Sequence, residues 1–366
     1  MQLERKNKKI LVMCPHPEGY VPGQRLKFEQ YFHNWRSSGF DVDVSSFMSE
    51  HMQQTVYLKG HLPEKIAGTI TGYIRRLNDL FRIRQYDVVY LFLWATPFGP
   101  PISEWLIHKL ARKIVYDIDD LIYKPNASPH NQFIKFLKSS SKVDFLMKHS
   151  DHVFVSTDKL FVYTKNITNS VSLIPATIDV NKYVFPKPFN SDAVTIGWSG
   201  SHTTSKYLHL LDEVLKTVAQ RHNVKIVVLG DISFKITGLE LESVEWTADT
   251  EIRSLQRFDI GLHPIPDEEW VYGKSGGKLV QYMAVGIPIV ASAIGPNFKA
   301  IKEGYNGFLV QTDEEWVDKL ALLITDAALR KQMGANSRKY AVEHYSIEAN
   351  SHKYLEVFNA ITKTDE

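Results

Sequence analysis

The sequence has a single cysteine, Cys14, in 366 residues. A lone thiol excludes an internal disulfide framework and any zinc site built from several cysteines, and it fits a reducing compartment. Long hydrophobic runs are missing too, since none reaches the roughly 18 residues that a spanning helix needs. The 14 histidines form neither H-x3-H nor H-E-x-x-H, so no metal-ligand set is visible. No G-x-G-x-x-G follows the first apolar run, which argues against a dinucleotide-dependent oxidoreductase. A net charge of only +2 argues against nucleic-acid binding as the main task.

What is present is an ordinary globular composition, 44% hydrophobic and 23% charged with 20 Gly and 16 Pro. At about 150 residues per domain, the length predicts two domains. The opening MQLERKNKKILVMC leads directly into Pro15 and Pro17, and it reads as a first strand rather than a signal peptide. Short β-branched runs then recur. In the first half they lie near 8–15, 40–47, 87–94, 113–119, 152–157 and 170–175. In the second half they lie near 193–199, 224–230, 244–246, 259–265, 287–293 and 307–311. Such runs without strict alternation suit strands buried on both faces, and their alternation with helical stretches predicts an α/β fold of two doubly wound, Rossmann-like domains. Pro186 and Pro188 sit in a linker-like stretch, 179–190. The expected division is therefore 1–184, 185–345 and a closing helix over 346–366 that crosses back to the first domain. Charge separates the halves: residues 1–180 hold 23 Lys+Arg against 17 Asp+Glu, and residues 181–366 hold 20 against 24. Opposite signs suggest different partners.

The most informative stretch is DIGLHPIPDEEWVYGKSGGKLVQYMAVGIPIVAS, 259–292. A helix is expected over 278–285, stopped by Gly286 and Pro288. It begins directly after Ser275, Gly276 and Gly277. Glycines there let backbone amides approach a ligand, a helix N-terminus attracts anions, and Lys274 and Lys278 add charge in reach of a diphosphate. An isolated GKSGGK is read about as well as a glycine turn with solvated lysines. In IVYDIDDLIY, Asp117, Asp119 and Asp120 cluster at a strand end, where like charges must be solvated, paired or used. Helix capping by Asp120 is the plainer reading of that cluster.

The stretch 259–292, followed by IGPNFKAIKEGYNGFLV, resembles the donor-binding domain of retaining GT-B glycosyltransferases, specifically glycosyltransferase family 4 (group 1). The resemblance runs on through DAALRKQMGANSRKYAVEHYSIEANSHKYLEVF. It also takes in SDHVFVSTDKLFVYT and SVSLIPATIDVNKY, and it is looser over 1–150. It implies two domains facing across a cleft, an N-terminal acceptor side and a C-terminal nucleotide-sugar side, with no cofactor and no essential metal. It implies that Ser199, Gly200, Ser201 and Lys206, in TIGWSGSHTTSKYLHLL, contact the diphosphate. Gly23 and Arg25, in PHPEGYVPGQRLKFEQY, would lie near acceptor and donor phosphate, with His16 beside them. Asp119 or Asp120 would orient a sugar hydroxyl or the acceptor. Many members carry two glutamates seven residues apart. Here Gln281 takes the ribose-side position and Gly273 the sugar-side one, which Gly273 cannot serve. Glu268 and Glu269 reach in from the preceding loop, or remain solvated. The resemblance implies hexosyl transfer with retention, onto a glycan or lipid-linked acceptor of cell-surface polysaccharide. A nucleotide-sugar-binding module without transfer and a nucleotide-sugar epimerase are the alternatives.

The basic surplus of the first half concentrates in FIKFLKSSSKVDFLMKH (133–149) and YIRRLNDLFRIR (73–84), where lysines and arginines interleave with apolar residues. Such helices suit an anionic membrane surface, each cation there contributing about 1 kcal/mol, or else a solvated face packed on the core. The expected location is the cytoplasm or the inner face of a membrane. Asn126 and Asn166 head N-x-S/T triplets, read as chance matches.

Overall fold

Strands rich in Val, Ile and Leu on both faces must be covered on both faces, and parallel sheets with crossover helices supply that cover. The computed structural model describes residues 7–56, 58, 60–119, 141–183 and 193–363. Among them, eleven of the twelve apolar runs contain a strand, and the run 244–246 meets its strand only at Val244. The first six are β1 (Lys8–Cys14), β2 (Phe40–Ser46), β3 (Val88–Phe92), β4 (Ile114–Ile118), β5 (His152–Val155) and β6 (Val171–Leu173). They form one sheet in the order β2-β1-β3-β4-β5-β6. The second six are β7 (Val194–Ser199), β8 (Val224–Leu229), β9 (Glu242–Val244), β10 (Ile260–His263), β11 (Ile289–Ser292) and β12 (Gly307–Val310). Their order is β12-β11-β10-β7-β8-β9. Every named pairing in both sheets is parallel.

In each sheet the winding reverses beside its first strand, between β1 and β3 and again between β7 and β10. Ligands of such sheets bind beyond the carboxyl ends of the strands flanking that switch point. The fold therefore marks the loops after Cys14 and Phe92, and those after Ser199 and His263, before any chemistry is considered.

The chain divides into a unit of 1–175 with 350–366, and a unit of 176–349. The division lies upstream of the expected 184/185, because residues 176–183 are tied to the second unit. Ile178 N donates to Tyr345 O (2.8 Å), and Arg338 Nη2 donates to Val180 O (2.6 Å). The linker stretch 184–192 lies outside the described residues. Within the first unit, Tyr354 of the helix Ile347–Ile361 donates to Lys27 O (3.1 Å).

The first unit also buries charge. Arg76 and Asp79, on the helix Leu62–Arg82, are 3% and 1% exposed. Arg76 donates to Asp79 Oδ2 (3.0 Å), Ser45 O, Ala95 O and Cys14 O, and Ser45 Oγ donates to Asp79 Oδ2 (2.6 Å). The network clamps that helix to the ends of β1 and β2. Removing one partner strands the other in a low-dielectric site, so Asp79→Ala is expected to cost about 3–5 kcal/mol. Chemical denaturation checks this, and a loss below about 1 kcal/mol, the size of an exposed pair, would contradict it.

Candidate active site

At the switch point of the second sheet the residues close on a pocket of about 180 Å³. Its walls come from four places: the end of β7 (Trp198) with Thr204 and Tyr207, the end of β10 (His263, Pro264), the loop from Trp270 to Lys278, and Pro296 beyond β11. Gly276, at φ +75°, takes the left-handed cap position that ends the loop and starts the helix Gly277–Val285. That helix stops at Gly286, also left-handed at φ 74°, where the sequence places its C-terminus. The amides of the first turn have no acceptor inside the helix and face outward with the positive end of its dipole.

Lys278 sits on this first turn. Its Nζ lies 4.5 Å from the centre of the Trp198 ring and donates to Thr204 Oγ1 (3.2 Å). Burial pushes its pKa down to about 8, because no carboxylate compensates the lost solvation. His263 is 9% exposed, with the Asn297 side chain as its hydrogen-bonding neighbour. Burial first, and the Lys278 charge second, push the imidazole down to about 3. The site thus holds a neutral imidazole and a desolvated ammonium, and an anion entering the pocket would improve the surroundings of the ammonium. Trp270 and Tyr207 stack within the pocket wall, with ring centres 5.4 Å apart and planes at 30°. They offer an apolar surface for a flat ring.

The structure sorts the residues expected from sequence. Lys274, Ser275, Gly276, Gly277 and Lys278 all line the pocket. The Ser199–Ser201 loop adjoins it, but its amides serve the protein rather than an open cradle. Ser199 N donates to Tyr282 Oη (2.7 Å), Gly200 N to Leu229 O (2.9 Å) and Ser201 N to Thr204 Oγ1 (3.2 Å). Gly200 matters for space instead: a Cβ there would lie 2.3 Å from the Trp198 ring and 2.4 Å from Lys278 Nζ. Lys206 is exposed, with its Nζ 5.0 Å over the Tyr207 ring, and it is not part of the lining. Gln281 is buried on the helix, away from the lining, and Gly273 is buried as well. Glu268 is exposed and accepts a hydrogen bond from Trp270 Nε1. Glu269 is exposed.

In the first unit, Gly23 is the second residue of the helix Pro22–Lys27, and a Cβ there would lie 3.9 Å from Asp119 Oδ2. The structure therefore brings Gly23 and Asp119 together, with Arg25 half-buried on the same helix. Asp120 lies outside the described residues. Asp117 is fully buried, accepts from Tyr90 Oη and pairs with Lys27 at 3.5 Å. Burial raises its pKa to about 6 despite the Lys27 charge. Its place is inside the protein, not at a ligand. Sequence reasoning missed Trp198, Thr204, Tyr207, His263 and Trp270. The available signal was His263, a polar side chain closing an otherwise apolar strand, and Trp270 in a polar loop.

Residues 179–340 match the family model of glycosyl transferases group 1. The poly(ribitol-phosphate) alpha-N-acetylglucosaminyltransferase of Staphylococcus aureus (strain COL) is 26% identical over 189 residues, covering 48% of this chain and 37% of that protein. Matches to curated relatives span from 21% to 57% of those proteins' length. Among solved structures, a glycosyltransferase from Rickettsia africae ESF-5 superimposes with a TM-score of 0.71 at 16% identity, covering 98% of this chain and 100% of that one. Anabaena Alr3699/HepE, solved in complex with UDP-glucose, gives 0.69 at 16% identity over 96% and 99%. The two parallel sheets match GT-B glycosyltransferase structures, and residues 179–340, which match the model of glycosyl transferases group 1, contain the whole pocket.

Proposed function

We propose that this chain is a nucleotide-sugar-dependent hexosyltransferase, with the second unit holding the donor. The observation that carries the proposal is Lys278, a desolvated ammonium at a helix N-terminus, in the switch-point pocket of a group 1 domain. A diphosphate is the anion whose size and charge suit Lys278, Lys274 and the Gly276–Gly277 amides together. The stacked Trp270 and Tyr207 support a flat ring held alongside. Gly23, Arg25 and Asp119, at the matching end of the first sheet, are assigned to the acceptor side, with Asp119 orienting a hydroxyl. The acceptor is assigned as a glycan or lipid-linked glycan of the cell surface; the S. aureus relative is named for transfer to poly(ribitol-phosphate).

Transfer is read as front-side, with retention. The bond from the anomeric carbon to the phosphate oxygen breaks, the acceptor oxygen bonds to the same face, and its proton passes to the departing phosphate oxygen. Lys278 and the first-turn amides stabilise the negative charge that develops on that phosphate, in place before reaction. This assignment needs no metal, so turnover is expected to persist in EDTA. Loss of turnover on chelation, restored by Mg²⁺ or Mn²⁺, would contradict it.

Binding should carry a proton signature. Lys278 titrates near pH 8 in the free protein, and a bound diphosphate favours its charged form. Affinity is therefore expected to be flat below pH 8 and to fall above it, towards about tenfold per pH unit, with proton uptake on binding. Calorimetry of nucleoside diphosphate binding in buffers of different ionisation enthalpy measures that uptake. Flat affinity through pH 9.5 would exclude Lys278 from the anion site.

The functional test is incubation with a panel of nucleotide sugars, UDP-glucose first, and measurement of nucleoside diphosphate release with and without glycan and lipid extracts. Release with transfer is the expected result. Binding without release across the whole panel would favour a binding module, consistent with glycine at position 273.

A further inference from the structure

The helix Leu62–Arg82 is mounted the wrong way out for a soluble protein. Its inward face carries Gly68, Gly72, Arg76 and Asp79, with Gly72 so close to Phe47 that a Cβ would lie 2.6 Å away. Its outward face carries Leu62, Ile66, Ile70, Ile74, Leu77 and Phe81, each at least 52% exposed and Phe81 88% exposed. Six large apolar side chains in one row on one helix are not scattered surface residues.

Two features of the row identify what covers it. The first is its width. Leu62, Ile66, Ile70 and Ile74 are four apart, so each advances about 40° round the axis and together they sweep about 120°, with Leu77 and Phe81 inside that sector. A paired helix would use a narrower a/d seam, whereas a broad sector suits a flat apolar phase. The second is charge. From Leu62 to Gln85 the chain carries Lys65, Arg75, Arg76, Arg82 and Arg84 against Glu64 and Asp79. Arg76 and Asp79 are buried, Asp79 also pairs with Arg82 (2.9 Å), and Arg75 donates to Ser46 O, so the segment keeps a surplus of three positive charges, with Arg84 exposed at its end. A second copy would bring like charges together, and an anionic headgroup layer would pair with them. The neighbouring helix Ile102–Leu110 packs against this one and adds exposed Ile102 and Trp105. No described helix is long and apolar enough to cross a membrane, so this helix would lie along the surface, its 21 residues spanning roughly 32 Å.

We infer that the outward face of Leu62–Arg82 docks the protein on an anionic lipid bilayer. The inference stands on the first unit alone and does not depend on the donor-site assignment. The test is co-sedimentation of the full chain with phosphatidylcholine vesicles, with and without phosphatidylglycerol, together with light scattering of the free protein. Wild type is expected to bind the anionic vesicles and to stay monomeric. Ile70→Glu with Ile74→Glu is expected to lower the bound fraction at least tenfold with an unchanged melting temperature, since both positions are exposed. Arg84→Glu, or added salt, is expected to weaken binding severalfold. Should the double variant not fold, Leu77→Ser with Phe81→Ser provides the same comparison. Absence of binding to anionic vesicles, or equal binding by the folded variants, would overturn the inference. So would a dimer of the wild type that the same variants dissociate, because the face would then belong to a second copy.

Discussion

Lys278→Ala is expected to lower donor-dependent turnover by about a hundredfold or more, the usual loss when one preorganised donor to a developing negative charge is removed. The folded state should tolerate the change. The ammonium rests on Trp198 and one hydroxyl, a modest gain that is set against the cost of holding a charge out of water. Melting temperature therefore stays near wild type while turnover falls, and the effect appears in kcat as much as in KM. Lys206→Ala is the informative comparison. Lys206 is exposed and outside the pocket lining, with its Nζ 5.0 Å over the Tyr207 ring, so its removal is expected to cost less than about tenfold. Similar losses in both variants would show that the pocket geometry does not rank the two lysines.

Gly200→Ala is expected to abolish measurable donor binding without removing a charged or polar group. The added methyl would meet Trp198 and Lys278 Nζ at 2.3 and 2.4 Å. Gly200 N is fixed to Leu229 O and Trp198 is 2% exposed in the core of the sheet, so the flexible tip of Lys278 is the group that yields. The ammonium is displaced from the pocket, and overpacking costs about 1–3 kcal/mol of stability. Calorimetry and a thermal melt together separate the two effects. Wild-type affinity in a folded Gly200→Ala protein would mean that the position of Lys278 does not determine binding.

The twelve strands were legible because buried parallel strands leave uninterrupted apolar runs, and the Gly276/Gly286 bracket was legible because only left-handed caps demand glycine at both ends. The pocket was legible only in part. Trp198 and His263 belong to strands whose burial hid them among core residues, and Tyr207 and Trp270 meet only through the fold. The sequence does not show that the amides of Ser199, Gly200 and Ser201 are bonded within the protein, to Tyr282 Oη, Leu229 O and Thr204 Oγ1. Asp117, Asp119 and Asp120 looked alike in sequence. Position along the chain separates the first two: Asp117 lies inside β4, fully buried against Lys27, whereas Asp119 lies just past the end of β4, next to Gly23. The inverted helix was the least accessible feature. Its pattern is that of an amphipathic core helix, and only tertiary structure reveals that Arg76 and Asp79 face inward.

The central claim is that Lys278 and the first turn of the helix Gly277–Val285 hold a nucleotide-sugar diphosphate. A crystal structure with UDP-glucose tests it most directly. The account predicts phosphate oxygens within about 3.2 Å of Lys278 Nζ and of a Gly277 or Lys278 amide, hydrogen-bond distance for charged partners. A diphosphate bound elsewhere, with Lys278 still seated on Trp198 and Thr204, would contradict it.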